Sequence, residues 1–293
     1  MRRIDSVIAA GHPDFEVLNR VSAAICKRVG GVETLRQEFP KLMRDAIDFV
    51  MDSVRTGRSS LSELDNVEKT FIGLKVEHFV RDYLDVPKGI RDLVIDGLDV
   101  DIKNTIAETW MIPPETYRKE EPCLLLASEA STGLCWLGLI VARDAYLGRP
   151  NRDAKRGVLA PAFKNILWLV DAAKMPASHW QEIDVVEFRE LRKIRGGTKR
   201  AVEFFKKNLR KRIHRSVVQA LMFDQHDYMK RLRANGGARD VLRKERIALL
   251  SGAFDQEQLT QLGILDVAPD ETVAVKPSNL TEESLLRSMG GID

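Results

Sequence analysis

The stretch Ile90-Arg-Asp-Leu-Val-Ile-Asp-Gly-Leu-Asp-Val-Asp-Ile-Lys-Asn104 decides the fold of this chain. Aliphatic residues dominate on both sides of Asp96-Gly97, a dipeptide that favours a tight two-residue turn. We therefore predict a β-hairpin with two extended arms. Residues two apart in a strand share a face, so Asp99, Asp101 and Lys103 should all point the same way.

Two further acids can join this face of the hairpin. Asp92 lies on the first arm, and Glu77 lies on the segment before it. Crowded carboxylates resist ionisation unless a cation pairs with them, and their hard oxygen atoms are ligands that Mg²⁺ takes. We predict a Mg²⁺ site with Asp92, Asp101 and Glu77 as ligands. Lys103 could hold a scissile phosphate and help position or deprotonate a water, which is nuclease chemistry.

An acid-x-Lys triplet also arises by chance in a chain whose residues are 30% charged, and Asp153-Ala-Lys155 is a second one. Alone, such a triplet is more often an exposed ion pair than a catalytic pair. Only the first triplet closes a predicted hairpin and has other acids nearby. Glu77 lies on a predicted helix over 68–84, where the alternative is a solvated glutamate paired with Lys75 or Arg81.

Composition limits the class of protein. A chain of 293 residues with 44% hydrophobic residues can build two modest cores. No window approaches twenty consecutive apolar residues, and the first residues lack the apolar stretch of a signal peptide. Three scattered cysteines suit neither a disulfide framework nor a zinc site. We expect a cytoplasmic protein with no membrane association.

Charge is concentrated in one part of the chain. Residues 192–246 contain 18 Lys and Arg against five Asp and Glu, a net charge of +13. The whole chain carries +3, which leaves −10 for the remainder. This distribution indicates a polyanion partner for one domain, with salt-sensitive binding.

The basic part has the pattern of short helices separated by turns, which suits a helix-turn-helix domain, and Ile247-Ala-Leu-Leu250 could be a strand of an added wing. The alternative is a helical bundle with a basic solvated face. The predicted phosphate contacts there are Lys230, Arg231, Arg233 and Arg239, and the candidates for reading a base edge are Gln225 and Asn235. The polar segment Gly148–Gly157 is predicted to be a loop near DNA, with Arg152, Lys155 and Arg156 as contacts, or a merely solvated loop.

The predicted fold class is α+β, with two domains. The apolar runs Cys123–Ala127 and Cys135–Ala142 suit buried strands of a mixed sheet flanked by helices. We place the catalytic domain, with an N-terminal helical region, at 1–165 and the winged helix-turn-helix domain at 166–267. The segment 268–293, with two prolines and few aromatic residues, is expected to be loosely ordered.

The pattern Lys69-x-x-x-Gly73-x-x-x-Glu77, then Asp92, then Asp101-x-Lys103, resembles the catalytic core of the mismatch-repair nickase MutH and its restriction-enzyme relatives. The fuller resemblance is to the NaeI-type restriction endonucleases, and it covers about residues 65 to 265. Beyond the catalytic residues it includes Trp110–Glu115, Cys123–Leu126, Leu137–Arg143, Asn151–Arg156, His214–Val218, Gln225–Arg233 and Asn235–Arg239.

The resemblance implies a restriction-endonuclease-like catalytic domain of the PD-(D/E)xK type, with an intact site at Glu77, Asp92, Asp101 and Lys103. It also implies a type IIE enzyme, whose second domain binds an additional, effector copy of the recognition sequence. We expect double-stranded DNA as substrate and, because a duplex cut needs two active sites, a homodimer. The alternatives are a MutH-like nickase and a DNA-binding regulator with an inactive nuclease fold.

Overall fold

The computed structural model describes residues 5–58, 61–180 and 182–293. These residues form two compact units. The first contains Leu64–Ala177 and the described residues up to Val50, and the second contains the described residues of 51–63 and of 178–293.

Helices occur in both units. In chain order they are α1 (Phe15–Val29), α2 (Val32–Met51), α3 (Ser53–Thr56), α4 (Asn66–Leu84), α5 (Pro114–Tyr117), α6 (Val185–Arg192), α7 (Gly197–Lys207), α8 (Arg215–Leu221), α9 (Ala238–Lys244), α10 (Gln256–Gln261) and α11 (Leu280–Ser288).

The strands belong to three sheets. They are β1 (Leu93–Ile95), β2 (Leu98–Thr105), β3 (Met111–Ile112), β4 (Pro122–Glu129), β5 (Leu134–Val141), β6 (Leu147–Pro150), β7 (Arg156–Val158), β8 (Leu167–Lys174), β9 (Ile213–His214), β10 (Ala248–Ser251) and β11 (Glu271–Val275).

The first unit is built on a five-stranded mixed sheet in the order β1-β2-β4-β5-β8. Only the β2–β4 pair is parallel, and the other neighbours are antiparallel. Helices α1 and α4 pack against it, α1 on β1 and β5 and α4 on β2. Strands β4 and β5 are buried almost throughout, as their continuous apolar runs predict. The predicted mixed sheet flanked by helices is confirmed.

The hairpin predicted from residues 90–104 is formed by β1 and β2. Asp96 and Gly97 both have positive φ, at 50° and 76°, as the favoured two-residue hairpin turn requires. The register pairs Ile95 with Leu98 and Leu93 with Val100. The pairing ends there, so the second half of β2 has a hydrogen-bonded neighbour on one side only, strand β4.

Helix α4, which carries Glu77, has a well-defined beginning. Asp65 caps it by accepting a hydrogen bond from the Glu68 amide, and the Glu68 side chain accepts one from the Asp65 amide in return. This reciprocal arrangement satisfies two amide groups that the first turn leaves without partners. Its buried residues recur at helical spacing and fix the face turned to the core, namely Ile72, Val76, Val80 and Leu84.

Two details of the first unit differ from the sequence-based predictions. Residues 148–157 are only partly a loop, because β6 and β7 pair as an antiparallel hairpin around the exposed turn at 151–155. The first unit also extends beyond residue 165. Strand β8 hydrogen-bonds to β5 as the last strand of the sheet, so the division between units follows Ala177.

The second unit has a helical core around Phe188, Phe204 and Phe205, with α7, α8 and α9 packed together. Its sheet has the order β10-β11-β9 with antiparallel pairing. The strand predicted at 247–250 is observed as β10.

The prediction that 268–293 is loosely ordered is wrong. Strand β11 is the middle strand of the second unit's sheet, and α11 buries Leu286 against the apolar cluster that contains Val273. The segment is short of aromatic residues, but its aliphatic residues gain their burial from β9 and β10, which are distant in sequence.

None of the helices in the described ranges is long and apolar enough to cross a bilayer. Residues 1–4, which belong to the stretch considered for a signal peptide, lie outside the described residues.

Candidate active site

The open edge of β2 is the starting point of the site. Beyond Val100 no strand covers this edge among the described residues, and the carboxylate of Asp92 takes the place of a neighbour. Its Oδ2 accepts a hydrogen bond from the Ile102 amide at 2.7 Å. A backbone donor at a strand edge thus fixes an acidic side chain that comes from the loop before β1.

Asp101 lies beside it on β2 and is 3% exposed. Its Oδ1 accepts a hydrogen bond from the Lys103 ammonium at 2.5 Å, and its Oδ2 accepts one from the Thr116 hydroxyl at 2.6 Å. Both carboxylate oxygens are therefore held in place. The i, i+2 spacing of a strand brings acid and ammonium together as predicted.

Lys103 is held by three oxygen atoms. Besides Asp101, its Nζ donates to the Ile102 carbonyl at 2.8 Å and lies 3.9 Å from Asp92 Oδ2. Its side chain is 22% exposed, so the ammonium is largely removed from water but still accessible. A cation in this setting can meet an incoming anion without a large reorganisation.

Glu77 and Lys103 line one cleft of about 510 Å³ in the first unit. Helix α4 forms one wall, with Gly73 one turn before Glu77, and β2 forms the facing wall. The remaining lining residues are Thr70, Leu74, Asn104, Thr105, Thr109, Met111, Pro113, Glu115 and Lys155. The four residues predicted for catalysis are therefore brought together by one strand, one helix and one loop.

The electrostatics of the site reflect this crowding. Burial, together with repulsion from Asp92 and Asp101, raises the pKa of Glu77 to about 7, although the nearby Lys103 opposes the rise. Burial and the neighbouring Asp92 carboxylate also raise the pKa of Asp101, against the effect of Lys103 and Thr116. Burial alone would lower the pKa of Lys103, but attraction to Asp101, Asp92 and Glu77 outweighs it and the pKa is raised. Near neutral pH the site can therefore hold or release a proton at Glu77.

The predicted ligand set for Mg²⁺ is only partly assembled. Within residues 5–58, 61–180 and 182–293, no three His, Cys, Asp or Glu side chains are grouped so that they could hold a metal ion. Asp92 and Asp101 both lie near the Lys103 ammonium, at 3.9 Å and 2.5 Å, which places two hard oxygen donors together. This donor set fits Mg²⁺, which keeps several waters and is often bound through one or two carboxylates and a substrate phosphate.

The predicted contacts on the 148–157 hairpin divide into two groups. Lys155 and Arg152 are exposed in its turn, and Lys155 lines the cleft. The side chain of Arg156 is less available for a DNA contact. Its guanidinium donates to the carbonyls of Gly148 and Leu147 and pairs with Asp144, so it holds the hairpin together.

The contacts predicted in the second unit lie around the turn that leads into α9. Asn235 has φ of 68° and Gly236 of 93°, and a Cβ at Gly237 would lie 2.1 Å from the Arg233 carbonyl oxygen, so a glycine is required there. The side chains exposed along this segment are Lys230, Arg231, Arg233, Asn235 and Arg239. Gln225 is half-buried, and its Oε1 accepts a hydrogen bond from Arg231 at 2.8 Å.

Two residues that support the site were not predicted from the sequence. Thr116, fully buried on α5, orients Asp101. Arg91 donates to Glu121 at 2.6 Å and to the Glu115 carbonyl, and so fixes the loop that carries Asp92. No spacing rule indicates either contact, because each joins segments that are distant along the chain. The nearest signal is the segment Trp110–Glu115, which carries part of the resemblance and leads directly into Thr116.

Comparisons with known proteins identify the family of this chain. A family model described as restriction endonuclease NaeI matches residues 34–283. The type II restriction enzyme NaeI of Lentzea aerocolonigenes is 31% identical over 219 residues, which cover 71% of this chain and 68% of that enzyme. The resemblance drawn from the sequence is confirmed. This chain belongs to the NaeI restriction endonuclease family.

Proposed function

We propose that this protein is a type II restriction endonuclease, which hydrolyses phosphodiester bonds in double-stranded DNA at a specific sequence with the help of Mg²⁺. Family membership supports restriction-enzyme activity. The observation that carries the proposal is the 2.5 Å contact between Lys103 and Asp101 at a cleft that also contains Glu77.

Each residue has a defined task in the proposed reaction. Asp92 and Asp101 would hold the metal, and Thr116 keeps the Asp101 carboxylate from rotating. Bound Mg²⁺ would stabilise charge on the pentavalent phosphorus and activate a water. Lys103 orients the nucleophile and stabilises the phosphate. Glu77, with a pKa of about 7, can accept a proton in the cleft or tune the site through a water.

We also propose that the second unit is a winged helix-turn-helix domain that binds DNA. The order α7, β9, α8, α9, β10, β11, with β11 in the middle of the sheet, supports this topology. The exposed basic residues before and within α9 support contact with phosphates. The segment between β10 and β11 is an unfavourable DNA contact, because residues 252–270 contain four acids and no Lys or Arg.

The oligomeric and regulatory parts of the proposal follow from the reaction and the family. Cutting both strands of a duplex at one site needs two active sites, so a homodimer is proposed. A second DNA-binding domain would allow an effector copy of the recognition sequence to raise the cleavage rate at the first.

The experiment that tests the main proposal is incubation of purified protein with plasmid DNA and Mg²⁺. Linear product supports restriction. Nicked circles would instead support a MutH-like nickase, and intact plasmid with a gel shift would support a DNA-binding regulator. Omission of Mg²⁺, or addition of EDTA, should stop the cleavage.

The effector hypothesis has a separate test. Plasmids that carry two recognition sites should be cut faster than plasmids that carry one. Equal rates would count against a second, activating DNA site and would leave the cleavage reaction itself unaffected.

A further inference from the structure

Asn104 follows Lys103 on β2 and lines the same cleft, but it has no role in the proposed reaction. Its side-chain oxygen Oδ1 is buried and has no hydrogen-bond partner among the residues that the structure describes. The described ranges contain two other atoms of this kind, Tyr83 Oη and Trp168 Nε1, and neither residue lines the cleft. A buried polar atom without a partner destabilises a fold, so its presence calls for a reason.

The side-chain nitrogen of Asn104 supplies a reason for the unpaired oxygen. Asn104 Nδ2 is not among the buried atoms without a partner, and it donates no hydrogen bond to a described residue, so it is open to the cleft. The facing wall leaves room for it. Gly73 on α4 has no side chain, and a Cβ there would lie 3.9 Å from Asn104 Nδ2. The cleft thus contains an accessible, uncharged donor next to the catalytic lysine.

A second hydrogen-bond donor is needed because most of the Lys103 ammonium protons already have partners. Two of its three ammonium protons are directed at Asp101 and at the Ile102 carbonyl. One remains for a phosphate that carries negative charge on two non-bridging oxygens. The acids Glu77, Asp92 and Asp101 lie close enough to act on Lys103, and whatever part of their charge a metal ion does not neutralise would repel the phosphate. A second donor that does not depend on protonation would complete the binding of the anion.

We propose that Asn104 Nδ2 donates a hydrogen bond to a non-bridging phosphate oxygen of the DNA strand in the cleft. This inference rests on the proposed nuclease function and adds a substrate-contacting residue to it. The buried, unpaired Oδ1 lowers the stability of the fold. It is a consequence of this orientation, since an amide that directs its nitrogen into the cleft directs its oxygen into the protein.

The test compares Asn104→Leu with the wild-type protein in plasmid cleavage and in thermal unfolding. Leucine keeps the branched shape and removes both polar atoms. We expect cleavage to slow by about tenfold or more, while the melting temperature is equal to or higher than that of the wild type, because the buried orphan is gone. A structural asparagine would behave differently, since melting temperature and cleavage would then fall together.

A second variant and a control keep the test decisive if leucine disturbs the fold. Asn104→Asp keeps the shape but replaces the donor by an acceptor, so it should also cleave at least about tenfold more slowly. Trp168→Phe removes a buried orphan away from the cleft and should cleave at the wild-type rate.

Four outcomes decide the proposal. Slow cleavage by both Asn104 variants without a loss of melting temperature supports it. Wild-type cleavage by Asn104→Leu would overturn it and leave the nuclease proposal intact. Relaxed sequence specificity in Asn104→Leu, seen as cleavage at sites that the wild type does not cut, would identify a base contact instead of a phosphate contact and also overturn it. A wild-type protein that cuts no plasmid would overturn the nuclease proposal and this inference together.

Discussion

The chain contains the acid-x-Lys pattern twice, and the two copies have very different surroundings. Asp101-Ile-Lys103 lies in a strand, where Asp101 is 3% exposed and bonded to Thr116 and Lys103. Asp153-Ala-Lys155 lies in an exposed turn, in which Ala154 has φ of 58° and Asn151 Oδ1 accepts hydrogen bonds from both flanking amides at 2.9 Å. The same spacing therefore gives an ion pair with a buried acid in the strand, and two exposed side chains in the turn.

This difference teaches what converts a short motif into a site. The strand places acid and ammonium on one face, the open edge of β2 recruits Asp92, and α4 adds Glu77. The turn does none of this. It contributes a single cation, Lys155, to the lining of the same cleft.

The largest expected effect is the difference in cleavage rate between variants of the two acids, Asp101 and Asp153. Asp101→Asn should reduce plasmid cleavage by at least about a thousandfold, because it removes a charged ligand from the metal site while preserving the shape of the side chain. Asp153→Asn should leave the cleavage rate unchanged. Equal losses in the two variants, measured as single-turnover rates, would mean that the buried pair has no special role.

Thr116→Val tests the hydrogen bond that only the first acid has. It should reduce cleavage by about 10-fold or more, since supporting partners of metal ligands have effects of this size. It should also cost about 1–3 kcal/mol of unfolding free energy, because Oδ2 of Asp101 is left buried without a donor. Thr116→Ser keeps the hydroxyl and should restore most of the cleavage. If the serine variant is as slow as the valine variant, the hydroxyl is not the cause.

Lys155→Ala tests whether the second triplet contributes its cation to DNA binding. A phosphate contact predicts affinity weakened by about fivefold, with a salt dependence reduced by about one counterion. The exposed Lys119, outside the cleft lining, provides a matched control as Lys119→Ala. Fluorescence anisotropy over a range of salt concentrations measures both quantities, and identical slopes for wild type and Lys155→Ala would exclude the contact.

The smallest effect concerns the proton at Glu77. Its pKa of about 7 in the fold exceeds the ordinary 4.5, so the folded state binds more protons than the unfolded state between these values. Stability should therefore fall as the pH rises through this window, and the loss is complete above the folded pKa.

Glu77→Gln removes this loss of stability at high pH, because glutamine does not ionise. In metal-free buffer the variant should melt on the order of 2 °C above the wild type at pH 8 and show a smaller difference at pH 5. Glu108→Gln, at an exposed position, should follow the wild type at both pH values. A constant difference across the pH range would show that Glu77 does not titrate there.

Local signals predicted the elements that carry the site. The Asp-Gly turn determined the hairpin, and the spacing of apolar residues determined α4, so the meeting of Asp101 and Lys103 could be derived from the sequence. Thr116 could not be, because its contact depends on where α5 packs after the chain has folded. The orphaned oxygen of Asn104 is likewise a property of three-dimensional packing.

The differences between the sequence-based predictions and the structure have the same origin. Arg156 stays a predicted DNA contact, but two carbonyls of β6 and the side chain of Asp144, which precedes β6, already serve as partners for its guanidinium. The C-terminal segment reads as loosely ordered, but a distant pair of strands gives β11 its place in a sheet. Composition describes a segment alone, whereas these outcomes depend on partners far along the chain.

The central claim is that the buried pair of β2, and not the exposed triplet, performs phosphodiester hydrolysis. Single-turnover cleavage of plasmid DNA in Mg²⁺ by wild type, Lys103→Ala and Lys155→Ala, with DNA affinity measured in Ca²⁺, tests it most directly. We predict no detectable cleavage by Lys103→Ala with DNA affinity retained, and cleavage by Lys155→Ala at a reduced but measurable rate. Cleavage by Lys103→Ala at the wild-type rate would contradict the claim.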